Sequence, residues 1–327
     1  MAGVGKRMRP HTLTVPKPLI PVAGKPIVQW LVEDIIKVCK EKVTEISFVI
    51  GDFGKDAEEK LLNIAQSEGA KGNIFYQEEA LGTAHAILCA QDSLKGKVIV
   101  AFADTLFRAD FTMDEEQEGI IWVNKIEDPR AFGVVKVNEQ NIITEFVEKP
   151  QTFVSDLAII GIYYFKDGEY LRKEMQYLVD NNIKDKGEYQ LTNALENMKR
   201  KGTKFVPGKV LEWLDCGNKD ATVYTNQRVL EMHRGEKMVS SSVKKENAMI
   251  IEPCFIGENV LIKNSVVGPH ASIGANTTIE NSVITNSIIQ NNSSIKNVVV
   301  DNSMIGNNVE YHRAAEDLSL GDFTVSR

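Results

Sequence analysis

From about Ile250 onward, short apolar pairs return every five or six residues, separated by Asn, Ser and Gly, with almost no stretch that favours a helix. Four tetrads restate one another: Asn264-Ser265-Val266-Val267, Asn281-Ser282-Val283-Ile284, Asn286-Ser287-Ile288-Ile289 and Asn302-Ser303-Met304-Ile305. Ile256-Gly257, Ile273-Gly274 and Ile305-Gly306 mark related steps. Few architectures accept such a period. It suits a parallel β-helix, in which each short strand turns one aliphatic side chain inward and stacks it on the coil below. The expected layout is a linker at 235–248, the β-helix at 249–310 and a terminal tail at 311–327.

Residues 1–234 have a different texture. Apolar runs of strand length, Ile46–Ile50, Val98–Ala103, Ile120–Val123 and Ala158–Phe165, alternate with segments of helical period. Behind Pro26, for example, Ile27, Val28, Leu31, Val32, Ile35 and Ile36 form one apolar stripe, and proline suits the first helical turn. Further helices are expected over 56–66, 83–91, 168–181, 190–201 and 219–233. This alternation predicts an α/β domain, a mixed and mainly parallel sheet flanked by helices.

A net charge of −7 over 327 residues argues against broad affinity for nucleic acid or an anionic membrane, since either needs a basic face. Any phosphate-bearing ligand must therefore meet local cations. No window approaches the roughly 18 consecutive apolar residues of a membrane span, so a cytoplasmic protein is expected. Cys39, Cys89, Cys216 and Cys254 stand far apart, without a CxxC pair, and read as free thiols.

Gly3-Val4-Gly5-Lys6-Arg7-Met8-Arg9-Pro10 joins two glycines to three cations. Glycines let backbone N–H groups close on phosphate oxygens, and Lys and Arg supply charge. A solvated basic terminus has the same composition, so this segment is weak evidence alone. Val15-Pro16-Lys17-Pro18-Leu19-Ile20-Pro21 adds a lysine held between prolines in an apolar stretch, which pre-organises its amine.

Together with Gly24-Lys25-Pro26, these segments resemble the signature of the sugar-nucleotide pyrophosphorylases, most closely the glucose-1-phosphate thymidylyltransferases and their uridylyl and mannose-1-phosphate guanylyl relatives. Gln77, Leu81-Gly82-Thr83-Ala84, Asp104, Ala131-Phe132-Gly133-Val134-Val135, Glu148-Lys149-Pro150, Gly161-Ile162-Tyr163 and Trp213-Leu214-Asp215-Cys216-Gly217 follow in the family's order. The resemblance covers about residues 2–230, and the tail is similar to the left-handed parallel β-helix carried by a subset of the family. It implies a Rossmann-like domain that joins a nucleoside triphosphate to a hexose 1-phosphate with Mg²⁺.

A sugar phosphate has a second pKa near ~6, so its oxygen is already an anionic nucleophile at neutral pH and needs no general base. The reaction does need relief of repulsion between two polyanions and alignment of attacking and leaving groups. The resemblance gives Arg7 and Lys17 the catalytic phosphate contacts, and Gly3, Gly5, Gln77 and Gly82 the nucleotide. Gly133, Glu148, Lys149 and Gly161 take the sugar phosphate, and Asp104 and Asp215 the metal. The two aspartates each follow an extended run, so a parallel sheet is expected to bring both to its carboxyl edge. Trp213 reads equally as core or as a neighbour of the sugar and metal loop. Glu188-Tyr189-Gln190-Leu191-Thr192 reads as a helix start or a ligand contact, and His85 as structural.

Two departures stand out. Relatives place a short apolar strand before the glycine-rich turn, and a strand ahead of Gly3 is expected here too. Ala103 and Thr105 flank Asp104 where many relatives have Gly and Asn. Three other readings remain open: transfer from UTP to glucose 1-phosphate or from GTP to mannose 1-phosphate, a non-catalytic sugar-nucleotide-binding regulatory subunit, and acyl transfer by His270 or His312 in the β-helix. Self-association through exposed coil edges is also expected, and dTTP with glucose 1-phosphate is the substrate pair the resemblance favours.

Overall fold

The computed structural model describes residues 3, 5–314 and 319–325. Val4 of the glycine-rich opening and parts of the 311–327 tail lie outside the described residues. The chain divides into two compact units: the described residues up to Ile20 with Pro26–Gly217, and Pro21–Lys25 with the described residues from Asn218 onward.

In chain order the elements begin with the short strands β1 (Pro21–Val22) and β2 (Lys25–Pro26), then α1 (Ile27–Val38), β3 (Glu45–Ile50), α2 (Lys55–Ser67), β4 (Lys71–Tyr76) and α3 (Thr83–Cys89). Next come β5 (Val98–Ala101), β6 (Thr105–Arg108), β7 (Gly119–Lys125), β8 (Gly133–Val137), β9 (Ile143–Glu148) and β10 (Leu157–Phe165). The first unit closes with α4 (Gly168–Asp180), α5 (Leu191–Arg200), β11 (Phe205–Lys209) and β12 (Glu212–Asp215), and α6 (Lys219–Met232) opens the run of the second.

The first unit is built on a six-stranded mixed sheet ordered β11-β7-β10-β8-β9, with β5 also paired to β10. β11 and β7 are parallel, and β10 meets β5, β7 and β8 antiparallel. The central strand β10 is buried at every position but its first, which is why Leu157–Phe165 reads as one unbroken apolar run. Leu171, Met175 and Leu178 of α4 and Ala194, Leu195 and Met198 of α5 pack with Ile121, Phe165 and Phe205 in one core. Fully burying each such large side chain is worth about 1.5–3 kcal/mol.

β3 and β4 form a separate parallel pair. Among the described residues β3 pairs only with β4, and β5 only with β10. Their open edges line a cavity of about 1220 Å³, walled by Val28, Leu31 and Ile35 of α1 and by Ala86 and Ile87 of α3. Small-molecule clefts span roughly 300–1,000 Å³, so this void exceeds an ordinary ligand pocket.

In the second unit three faces of parallel strands rise coil by coil. One stacks Lys244–Glu246, Leu261–Lys263, Thr278–Glu280, Ser294–Lys296 and Glu310–His312. The second runs from Met249–Ile250 to Val299–Val300 and the third from Phe255–Ile256 to Met304–Ile305. Ile262, Ile279 and Ile295 stack inside, as do Ile256, Ile273 and Ile289, each at most 1% exposed.

The repeated Asn-Ser pair has a local cause. Asn264, Asn281 and Asn302 turn the corners with φ of 46°, 48° and 44°, a left-handed conformation that Asn tolerates better than most residues. Asn264 Nδ2 donates to Asn281 Oδ1 at 3.2 Å, and Asn281 Nδ2 to Asn297 Oδ1 at 3.0 Å. The serines after Asn264 and Asn281 are buried and donate to the strand before them, Ser265 to the Lys263 carbonyl at 2.6 Å and Ser282 to that of Glu280 at 2.7 Å.

The expected boundaries differ from this division. α6, expected in the catalytic domain, lies in the second unit, where Asn226 donates to the His270 carbonyl at 3.1 Å and accepts from Ser272 Oγ at 2.7 Å. Lys244–Glu246, expected as linker, is the first strand of a β-helical face, and Glu310–His312 extends that face into the expected tail. Polar and charged side chains hid both ends, because all six residues of these two strands are exposed and give no apolar pair.

Candidate active site

The corner expected to bind phosphate starts at Gly5, which caps a 3₁₀ turn over Lys6–Met8. Met8 is buried and donates its N–H to the Gly5 carbonyl at 2.9 Å, and the Thr12 hydroxyl donates to the same oxygen at 2.9 Å. With Met8 as the anchor, Lys6 and Arg7 are left exposed. Pro16 caps the next turn, Lys17–Leu19, in which Pro18 and Leu19 are buried. The stiffened turn points the Lys17 stem inward: its side chain is 11% exposed and Nζ lies 2.7 Å from Asp104 Oδ2.

Asp104 and Asp215 come together through a different device from the one expected. β6 begins just after Asp104 and β12 ends on Asp215, and the two strands pair antiparallel with Thr105 opposite Asp215. The Cys216 N–H donates to the Asp104 carbonyl at 2.9 Å. An antiparallel ribbon, not two parallel strand ends, therefore sets the carboxylates at one end. Burial pushes the Asp215 carboxyl above its usual range and the charge of Asp104 adds to this, while the Gly217 N–H, Lys17 and Arg7 draw it down.

Two carboxylates without nitrogen or sulfur partners make a hard donor set that matches Mg²⁺, which keeps several waters and takes phosphate oxygens as ligands. Among the described residues no cluster of three or more His, Cys, Asp or Glu encloses a metal.

On the opposite wall Gln77 follows β4, its N–H donating to the Ile50 carbonyl at 2.8 Å. Its Nε2 lies 3.1 Å from the Gly82 carbonyl and 3.1 Å from His85 Nδ1. Gly82 has φ of 112°, and a Cβ there would stand 2.5 Å from the Tyr189 carbonyl oxygen. Only glycine fits that place. The Tyr189 N–H donates to the Leu81 carbonyl at 2.8 Å, Ala84 N–H to the Tyr189 carbonyl at 2.9 Å, and Leu191 N–H to Thr83 Oγ1 at 2.9 Å. The 188–192 segment is thus the clamp on the Gly82 loop.

A third group stands on β8 and β9, where Gly133 pairs with Glu148. Glu148 Oε2 accepts from the Thr192 hydroxyl at 3.2 Å, and Lys149 Nζ lies 3.5 Å from Glu148 Oε1. A Cβ on Gly133 would come within 3.2 Å of Glu148 Oε2, so glycine leaves the space in front of that carboxylate open. Gly161 sits at a bulge in β10 and accepts from the Phe102 N–H at 2.8 Å. Trp213 Nε1 donates to Thr105 Oγ1 at 2.6 Å, and its ring meets Phe132 edge-on at 5.0 Å. The indole thus bridges the aspartate ribbon to the turn before Gly133.

Gly3, Gly5, Arg7, Lys17, Gln77, Gly82 and Asp104 line one cavity. Gly133, Glu148, Lys149 and Gly161 form the adjoining group rather than part of that lining. The sequence offered Thr192 as part of a helix start or ligand contact and Thr105 as a neighbour of Asp104, but not their bonds to Glu148 and Trp213, nor that of His85 to Gln77, since a single polar side chain carries no periodic signal.

A family model described as nucleotidyl transferase matches residues 1–232. The low-salt glycan biosynthesis nucleotidyltransferase of Haloferax volcanii is 30% identical over 322 residues, covering 88% of this chain and 85% of the relative. A glucose-1-phosphate thymidylyltransferase of Streptomyces antibioticus is 29% identical over 316 residues, covering 88% and 85%. The bifunctional protein GlmU of Methanocaldococcus jannaschii is 30% identical over 268 residues, covering 81% of this chain and 58% of the relative. Among solved structures, a UDP-glucose pyrophosphorylase from Acinetobacter baumanii superposes with a TM-score of 0.58 at 20% identity, covering 72% of this chain and 92% of its own. Its likeness extends to the fold. With the family model spanning the whole first unit and the matching residues gathered as described, the chain belongs to the nucleotidyl transferase family and is a nucleotidyltransferase.

Proposed function

We propose that the enzyme joins a nucleoside triphosphate to a hexose 1-phosphate, forming a nucleotide sugar and releasing pyrophosphate, with dTTP and glucose 1-phosphate as the preferred pair. The observation that carries this reading is the meeting of Arg7, Lys17 and Asp104 on one cavity with Gln77 and Gly82. A sugar-phosphate oxygen attacks the α-phosphorus, the bond from that phosphorus to the bridging oxygen breaks, and pyrophosphate leaves. Arg7 and Lys17 offset the charge that builds on the phosphates. Glu148, oriented by Thr192, accepts from sugar hydroxyls, and Lys149 faces the sugar phosphate. Asp104 and Asp215 would hold Mg²⁺, which supplies Lewis-acid stabilisation of phosphate oxygens. The thymidylyltransferase relatives favour dTTP, although thymine and uracil differ by one methyl, worth only about 1–3 kcal/mol in a pocket.

The test is a matrix of nucleoside triphosphates against hexose 1-phosphates, scored by Mg²⁺-dependent pyrophosphate release. Turnover with dTTP and glucose 1-phosphate above the other pairs supports the reading. No release with any pair refutes it and leaves the regulatory-subunit alternative. Acyl transfer gains no support from the β-helix histidines: His270 Nε2 is tied to Glu231 Oε1 at 2.5 Å and His312 Nε2 to Ser294 Oγ at 2.9 Å.

A further inference from the structure

We propose that His85 is a positioning residue which, with the Gly82 carbonyl, locks the Gln77 side-chain amide so that only its oxygen is presented to an incoming nucleobase. The inference rests on the nucleotide site proposed above. A carbonyl oxygen can only accept, so the Gln77 atom 3.1 Å from the Gly82 carbonyl must be the nitrogen. The second amide hydrogen then serves His85 Nδ1, also at 3.1 Å. That nitrogen must be the unprotonated one, with the ring hydrogen on Nε2. Gln77 is 9% exposed and its backbone is held by Ile50, so the amide has little freedom besides rotation.

Both amide hydrogens are therefore spent inside the protein, and Oε1 is left as a hydrogen-bond acceptor on a group that lines the cavity. An acceptor selects a base edge that offers N–H. The ring N3–H of thymine or uracil is such a donor, and methylation at N3 removes it. Without His85 the amide is held on one side only, and its second hydrogen is left in a nearly closed space. Rotation about the last bond then presents the NH₂ face to the base, which is the wrong partner for N3–H. His85 thus acts on the base through Gln77, without touching it.

Three measurements test this. In the wild-type protein, ¹⁵N NMR should find His85 as the Nε2–H tautomer; an Nδ1–H ring overturns the proposal. His85→Leu should raise KM for the triphosphate about 10-fold, the loss of one hydrogen bond of about 1.4 kcal/mol, with kcat within about 2-fold. It should also narrow the preference for a triphosphate over its N3-methyl analogue by a similar factor. His85→Asn, whose side-chain oxygen accepts from near the same place, should restore both. Should His85→Leu fail to fold, the tautomer and the His85→Asn kinetics decide the matter. An unchanged KM and an unchanged N3-methyl preference in a folded, active His85→Leu protein sinks this inference alone; failure of every triphosphate to react sinks the nucleotide site and the inference together.

Discussion

Lys17 Nζ stands 2.7 Å from Asp104 Oδ2, so the cation proposed to meet the phosphates and a carboxylate proposed to hold the metal neutralise each other before substrate arrives. The lysine is nearly buried and the aspartate is 43% exposed, an arrangement in which solvent reaches the carboxylate more easily than the amine. A divalent ion approaching Asp104 competes with that amine. Lys17→Met should therefore bind Mn²⁺ more tightly than the parent in the absence of nucleotide, as read by electron paramagnetic resonance. Pyrophosphate release should fall by about 10²–10³, the scale for removing one charge-stabilising donor. Weaker Mn²⁺ binding in the variant would contradict this account.

Gly82→Ala places a methyl 2.5 Å from the Tyr189 carbonyl oxygen at a φ of 112°. The backbone penalty alone is about 1–3 kcal/mol. The loop should spring from its clamp, lowering the melting temperature and raising KM for the triphosphate more than KM for the sugar phosphate. Equal changes in both constants would mean that the loop does not serve the nucleotide.

The open edges of β3 and β5 should accept one strand. Joining about six apolar, β-branched residues ahead of the glycine-rich turn should raise the melting temperature, since each large side chain newly buried adds about 1.5–3 kcal/mol. The same extension should abolish binding of an apolar fluorescent dye to the void. Continued dye binding with no thermal gain would show that the slot is not a strand seat.

Acid resistance in the second unit should depend on Glu231. Arg234 and then His270 hold its carboxyl down to about 2 from a usual 4.5. A carboxylate with a depressed folded-state pKa stabilises fully above its unfolded value and loses that effect as pH falls through the folded one. Glu231→Gln should therefore bring forward acid unfolding, with the parent and variant curves diverging above about pH 4.5 and merging near pH 2, followed by circular dichroism. Because the Glu231 side chain is 25% exposed and that of Arg234 59%, the difference should shrink in 1 M salt.

Much of this was legible because period and burial coincide. The stripe Ile27–Ile36 became α1, and the run 158–165 became the buried strand β10. The Asn-Ser repeat spoke for itself, since each Asn fills a left-handed corner and Ser265, Ser282 and Ser287 are buried beside it. The ribbon of β6 and β12 was not legible. Thr105–Arg108 and Glu212–Asp215 are four-residue strands, too short for alternation to register, and their pairing joins segments over a hundred positions apart. The nearness of Asp104 and Asp215 was thus expected for the wrong reason. Thr192 and His85 were missed as partners because a single polar side chain gives no pattern until the fold supplies its neighbour.

The β-helix has a mechanical consequence of its own. Each coil pairs only with the coils directly above and below it, so its stability is close to a sum of neighbour-to-neighbour contributions. Under gentle denaturation the second unit should therefore unwind coil by coil from an end, while the first, knit around one central strand, gives way as a block.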